Sequence, residues 1–226
     1  MRHLKYLLPG AMALIGTAAA AEAPVDISAN TGIVSDYRFR GISLSDRGPA
    51  VQGGVDLTTK AGFFAGTWAS TIADNEGAEV ELYLYAGYAA EVAGFDLTFT
   101  ANTYLYPGAN GVNYAELSAI AERTLGPFTL GLEAALTPRQ DNVDEANHYL
   151  GASAAFEIPG TGIVAKARGG YEDGFYDRKW DWEVGASYSR SIFTASLSYV
   201  GTNRGAAHQE GRAARDGIVA SLLAEF

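Results

Sequence analysis

The chain has 226 residues and a formal charge of −10, with 27 glycines, 13 tyrosines, 2 methionines and no cysteine. The missing thiols exclude a disulfide framework and a thiolate metal centre, and an acidic chain with scattered basic residues is unsuited to nucleic acid. Glycine and aromatics in this balance favour strands and turns over helices.

Residues 1–21 read as a secretory signal peptide. Arg2 and Lys5 supply the positive start, Leu7–Ile15 a short apolar run interrupted by Pro9, and Ala19 with Ala21 an Ala-x-Ala site for cleavage after Ala21. The apolar run is shorter than the ~20 residues a spanning helix needs, and no later run matches that length. Residues 22–226 then make one exported domain, undivided by any linker or charge block, which enters a membrane only as strands.

From there the chain repeats one unit, alternating segments of about ten residues separated by turn residues. Twelve are expected, near Val25–Tyr37, Ala50–Thr59, Gly62–Ile72, Ala78–Ala90, Gly94–Tyr106, Asn113–Thr124, Pro127–Thr137, Asn147–Glu157, Gly162–Glu172, Lys179–Arg190, Ile192–Thr202 and Asp216–Phe226. Connections after even-numbered segments are tight: Lys60-Ala61, Glu91-Val92-Ala93, Leu125-Gly126, Ile158-Pro159-Gly160-Thr161 and Ser191. Those after odd-numbered segments are longer and polar: Arg38–Pro49, Ala73–Gly77, Pro107–Val112, Pro138–Ala146, Asp173–Arg178 and Asn203–Arg215. Short periplasmic turns alternating with long extracellular loops are how outer-membrane barrels are built, and an even strand count returns both termini to one side. Ten or fourteen strands stay open, because the first and last loops have room for more extended structure.

Parity assigns the faces. The outward sets are Val51/Val55/Leu57, Val80/Leu82/Leu84/Ala86, Phe95/Leu97/Phe99/Ala101, Phe128/Leu130/Leu132/Ala134 and Trp180/Trp182/Val184/Ala186. The inward complement carries Gln52, Asp56, Glu79, Glu81, Asp96, Asn102, Glu116, Glu133, Lys166, Arg168, Asp181 and Glu183. Charges inside and apolar residues outside invert the layout of a soluble sandwich. In the third segment Phe63/Ala65/Ala69 and Phe64/Trp68/Ile72 both qualify as outward. Ile218, Ala220, Leu222, Ala224 and Phe226 give the last segment an apolar face complete to the final residue, as a closing strand paired with the first requires. The fold class expected is therefore all-β, a transmembrane antiparallel up-and-down barrel.

The first hairpins add specific residues. Ser35-Asp36-Tyr37-Arg38-Phe39-Arg40-Gly41-Ile42-Ser43 is followed by Pro49-Ala50-Val51-Gln52-Gly53-Gly54. Next come Gly62-Phe63-Phe64-Ala65-Gly66-Thr67-Trp68-Ala69-Ser70 and Glu81-Leu82-Tyr83-Leu84-Tyr85-Ala86-Gly87-Tyr88. This stretch resembles the TorF-type porin family of proteobacterial outer membranes. It departs at Leu44-Ser45, where a Gln-Thr-like pair is usual, and at Phe64, where a Tyr is common. The resemblance implies an outer-membrane location and a pore, and names no substrate.

Function then rests on the inward face. Asp36, Arg38 and Arg40 share the lumen parity at the extracellular end of the first segment, either as a charged entry filter or as an ion pair pinning the first loop. The other inward charges are mostly acidic, so the expectation is a channel for small solutes with a weak cation preference. Two other functions are open to such a barrel. An outer-membrane lipid hydrolase needs Ser, His and an orienting partner together, and the mature chain offers His148 and His208, with Leu150 and Ala152 rather than serine following His148 on its face. An adhesin would use acidic loops such as Asp74-Asn75-Glu76 and Asp141–Glu145, which lack the spacing of a calcium loop. No cofactor and no metal are expected. The partners expected are outer-membrane lipid and lipopolysaccharide, small solutes, and the barrel-assembly machinery through the C-terminal strand ending in Phe226.

Overall fold

The structure, a computed structural model, describes residues 25–176, 178–204 and 211–226. The expected leader with its cleavage site, and His208, lie outside them. Twelve antiparallel strands close into a barrel: β1 (Val25–Val34), β4 (Ala50–Thr59), β5 (Phe63–Asn75), β6 (Ala78–Val92), β7 (Phe95–Leu105), β8 (Tyr114–Leu125), β9 (Phe128–Thr137), β10 (Asn147–Ile158), β11 (Ile163–Asp173), β12 (Lys179–Arg190), β13 (Phe193–Thr202) and β14 (Gly217–Glu225). Two further short strands, β2 (Arg38–Phe39) and β3 (Ile42–Ser43), pair only with each other. Every barrel neighbour follows in sequence except the closing pair. There β1 meets β14 from Asn30↔Glu225 to Val34↔Ser221, and Ala29 and Phe226 exchange both backbone hydrogen bonds at 3.1 and 2.8 Å.

The outer surface is apolar. Leu132 is 65 % exposed and Ile218 70 %, with Ile33, Val51, Phe99, Leu117, Leu150, Trp180, Val184 and Leu197 exposed alongside them. Dry side chains turned outward around a closed ring have to be covered, and they form the belt a bilayer covers. The Ile218, Leu222, Phe226 stripe of the last strand belongs to it. The ambiguity of the third segment is also resolved. Phe63 faces outward, whereas Trp68 is buried in the interior and Phe64 packs against that buried cluster.

Three boundaries differ from expectation by more than one residue. β1 ends at Val34 rather than Tyr37, because the Asp36 carboxylate turns back to accept hydrogen bonds from Ser43 Oγ (2.6 Å) and Arg38 Nε (2.7 Å), folding the chain off the wall. β5 continues through Asn75, so the expected five-residue connection Ala73–Gly77 shrinks to Glu76-Gly77. Both of those residues have positive φ, 54° and 94°, the geometry of a two-residue hairpin turn. Long and short connections therefore fail to alternate at this one place. At the other end of β6 the turn is Ala93-Gly94, again with both φ positive.

Candidate functional site

The first long loop occupies the mouth of the barrel. Strands β2 and β3 form a two-residue hairpin whose tip is Arg40 (φ 45°) and Gly41 (φ 84°). Such turns favour Asn-Gly, so an arginine held in the left-handed region signals that its surroundings dictate its place. Those surroundings are the lumen: Arg40 is 2 % exposed. Its Nη2 donates to Glu116 Oε1 on β8 (2.9 Å) and its Nη1 to Glu172 Oε1 on β11 (2.9 Å). The guanidinium also lies 4.2 Å from the centre of the Tyr149 ring on β10 and 4.6 Å from that of Phe39. Burial works to lower the Arg40 pKa, but the carboxylates of Glu116 and Glu133 more than reverse it, so the side chain stays charged.

The two carboxylates are satisfied further. Glu116 accepts from Thr137 Oγ1 (3.2 Å), and Glu172 accepts from Asn147 Nδ2 (3.0 Å) and pairs with Lys179. A buried ion pair persists only when its remaining lone pairs are met in this way. Elsewhere the loop is tied to the opposite wall. The Tyr37 and Tyr106 hydroxyls donate to the two oxygens of Glu81 on β6, at 2.7 and 2.8 Å. Burial first, then the facing Glu81 charge, raises both hydroxyl pKa values well above the ordinary range, so both remain donors. Tyr37 also packs on Trp68 of β5 at 5.4 Å, and Phe39 on Tyr104 of β7 at 5.9 Å. Gly41 sits so close to β12 and β13 that a Cβ there would meet Gly201 O at 2.7 Å and Asp181 Cβ at 3.0 Å. In ring order β6 and β12 are six strands apart either way round. The hairpin therefore spans the lumen from one wall to the other.

Beneath it the lining is divided. On β11 and β12, Lys166 pairs with Glu183 (2.9 Å), and Arg168 pairs with Asp181 (3.2 Å) and Glu183 (3.6 Å). Toward the end that carries the termini, Glu91, Asp96 and Glu122 stand directly opposite one another across β6, β7 and β8. Asp56 is bonded by the Tyr85 hydroxyl, and Glu225 shares that side of the wall. Like charges facing each other in register cost stability, so this row carries a local penalty.

The expected site residues thus separate into groups. Arg40, Glu81 and Glu116 belong to the hairpin contacts, and Asp36 and Arg38 fix the hairpin's own fold through a 2.7 Å ion pair. Glu133 lies near Arg40, while Asp181, Lys166, Arg168 and Glu183 form the paired cluster below. Asn102 is bonded by Tyr83 (2.7 Å), Gln52 donates to Ser70 (3.3 Å), and Asp56 and Asp96 line the acidic side. Glu79 has the inward parity but is exposed at the rim. Expectation missed Glu172, Lys179, Tyr37 and Tyr149. Parity would have found three of them, since Glu172 shares a face with Arg168, Lys179 with Asp181, and Tyr149 lies opposite the outward His148.

His148 is exposed on the outer face with Leu136 and Asp173 as cross-strand partners, and Asp173 is taken by Tyr171 (2.9 Å) and Arg178 (3.4 Å). Asp74 Oδ1 caps the turn by accepting from Gly77 N at 3.2 Å. Neither arrangement supplies the constellation that a hydrolase or a calcium loop requires.

Comparison with solved structures finds porins. The KdgM porin superposes with a TM-score of 0.64 at 8% identity, covering 88% of this chain and 99% of that one. KdgM porin in complex with disordered oligogalacturonate gives 0.61 at 8%, covering 88% and 98%. The NanC porin gives 0.58 at 10%, covering 89% and 99%. At such identities the likeness is one of fold. Comparison with curated proteins by sequence gives no match. The family assignment comes from the chain itself: over residues 18–223 it belongs to the family described as bacterial protein of unknown function, Gcw_chp.

Proposed function

We propose that this barrel is an outer-membrane channel for passive diffusion of small hydrophilic solutes, with a weak preference for cations, and that it is close in kind to the TorF-type porins its first hairpins resemble. The observation that carries the reading is the inversion of polarity. A closed ring leaves Leu132, Phe99 and Ile218 exposed on its outer face, where lipid and lipopolysaccharide would cover them, and turns carboxylates toward its axis. In this placement the long loops are extracellular and the termini periplasmic, and the strand ending at Phe226 presents the assembly machinery with its recognition element.

Selectivity follows from the lining. The basic residues Lys166 and Arg168 are already matched by Glu183 and Asp181, whereas Glu91, Asp96 and Glu122 stack charge of one sign at the periplasmic mouth. A negative wall in a low-dielectric tube concentrates cations and repels anions. One of the similar solved porins is in complex with disordered oligogalacturonate, a polyanion, and this acidic mouth argues against such a solute here.

The test is the reversal potential of the purified protein in a planar bilayer under a KCl gradient. A cation-selective sign is expected, with the permeability ratio falling roughly twofold in the Asp96→Asn, Glu122→Gln double variant. Anion selectivity would refute the acidic-mouth argument. The channel itself would be refuted if neither the wild type nor Arg40→Ala carries current at any salt concentration.

A further inference from the structure

We propose that the Arg38–Ser43 hairpin is a latched plug that keeps the channel predominantly closed, with Arg40 as the latch. The inference rests on the channel reading and adds a gate to it. Three observations lead here, each independent of the acidic mouth. With the preceding Tyr37 the hairpin crosses the lumen, touching β6 through the Tyr37 bond to Glu81 on one side and β12 and β13 through Gly41 on the other. It does so at a level where the wall residues facing it are sealed from water, with Tyr149 1 % exposed and Glu81, Asn147 and Asp181 nearly as buried. And its tip, Arg40 at φ 45° followed by Gly41 at φ 84°, sits in the left-handed region that is uncommon for an arginine.

The contacts are of a kind that separates cleanly. β2 and β3 hydrogen-bond to each other and to no barrel strand, so the hairpin is an independent unit on the wall rather than part of it. Its internal structure is kept by Asp36, Arg38 and Ser43, which travel with it. What holds its tip and sides to the wall are the Arg40 ion pairs with Glu116 and Glu172, the Tyr149 ring face, the Tyr37 bond to Glu81 and the close packing of Gly41; the backbone bond to the wall, Ala73 N of β5 to Leu44 O at 2.8 Å, lies just past Ser43, at the base. Withdrawal leaves Glu116 and Glu172 facing a channel that water can enter, so both charges regain solvation as the latch opens. The Ser45 hydroxyl, which accepts from Tyr37 N and donates to Gly48 O, secures the base of the loop on which the hairpin would swing.

The chain has no cysteine, so one introduced thiol is a unique probe. Ser118 lies two residues below Glu116 on the inner face of β8, where Asn102 Nδ2 donates to its hydroxyl at 3.1 Å. Ser118→Cys is placed in the wild-type background, in Arg40→Ala, and in Glu116→Gln with Glu172→Gln, which releases the latch from the wall side without altering the hairpin. Heat-modifiable migration on gels verifies that each barrel is closed. In a planar bilayer, a charged thiol reagent added on the loop side should modify Ser118→Cys at least tenfold faster in either unlatched background. Mean current should rise at least tenfold in step. Equal modification rates and equal currents in all folded variants would overturn the plug and leave the channel standing. A thiol sealed in every background, with no current from any of them, would overturn the channel and the plug together.

Discussion

Replacing Leu132 with arginine tests the membrane placement through the sign of its effect. Leu132 is the fifth of ten residues in β9 and 65 % exposed on the outer face. At a rise of ~3.4 Å per residue and a tilt near 45°, ten residues span about 24 Å along the barrel axis, close to the height of an apolar belt. Leu132 therefore lies near the middle. Its cross-strand neighbours are Ala121 and Ala152, neither of which can receive a guanidinium. On a protein surfaced by water, Leu132→Arg changes stability by about 0.5 kcal/mol or less, because an exposed apolar side chain is exchanged for a solvated one. At a bilayer midplane it costs about 2–4 kcal/mol, roughly thirtyfold to several hundredfold in the unfolding equilibrium constant. Phe193→Arg, at the first residue of β13 and likewise exposed, provides the depth control, with an expected cost of about 0–1 kcal/mol near the interface. The measurement is reversible denaturant unfolding of the barrel refolded into phosphatidylcholine vesicles. A Leu132→Arg cost no larger than that of Phe193→Arg would refute the belt.

Two other predictions follow from the seam and the hairpin tip. The mutual hydrogen bonds of Ala29 and Phe226 make Val34↔Ser221, five residues on, a non-bonded pair of close Cα atoms, so Val34→Cys with Ser221→Cys should form a disulfide across the closure; protein that keeps both thiols free after treatment with an oxidant would mean an open sheet. Gly41→Ala adds a Cβ at φ 84° within 2.7 Å of Gly201 O, and should cost about 1–2 kcal/mol in vesicle unfolding while raising mean current, whereas unchanged stability would show that the tip is not seated against β13.

The strand rhythm was legible because a barrel wall imposes a period of two on every residue, and a one-residue slip would turn carboxylates into lipid. That constraint is strong along β9 or β12, where Leu132 and Trp180 alternate with Glu133 and Asp181, and it located the inward charges without any structure. It is silent about loops. Asp36, Arg38 and Arg40 were assigned to the lumen by extending the parity of β1 past Val34, and Arg40 does reach the lumen, but by a different route: the chain leaves the wall at Ser35 and returns as a hairpin. Nothing in the local pattern separates these outcomes, since the turn at Arg40-Gly41 has no Asn to announce it and its partners Glu116 and Glu172 lie 76 and 132 residues away. The short turn Glu76-Gly77 was missed for the opposite reason. Ala73-Asp74-Asn75 is poor strand sequence, and pairing with β6, Asn75↔Ala78 beyond a register shift, overrides that propensity.

The chemistry of the latch also bears on what the lumen is for. Replacing a buried ion pair by apolar side chains of like volume is often neutral or stabilising, so a hairpin meant only to stop the barrel would gain from leucines where Arg40, Glu116 and Glu172 meet. The same substitution would leave a dry ring on the wall once the hairpin moved, and an apolar constriction excludes water and ions by dewetting. Charged and hydroxyl-bearing walls avoid this. Glu116 with Thr137, Glu172 with Asn147 and Lys179, and Glu81 with Tyr106 keep their hydrogen bonds to the barrel when the contact to the loop is lost. A polar latch is thus compatible with a water-filled tube in both positions of the hairpin, and an apolar one with only the closed position. The cost of burying charge at this level is the expected signature of a surface that spends part of its time wet.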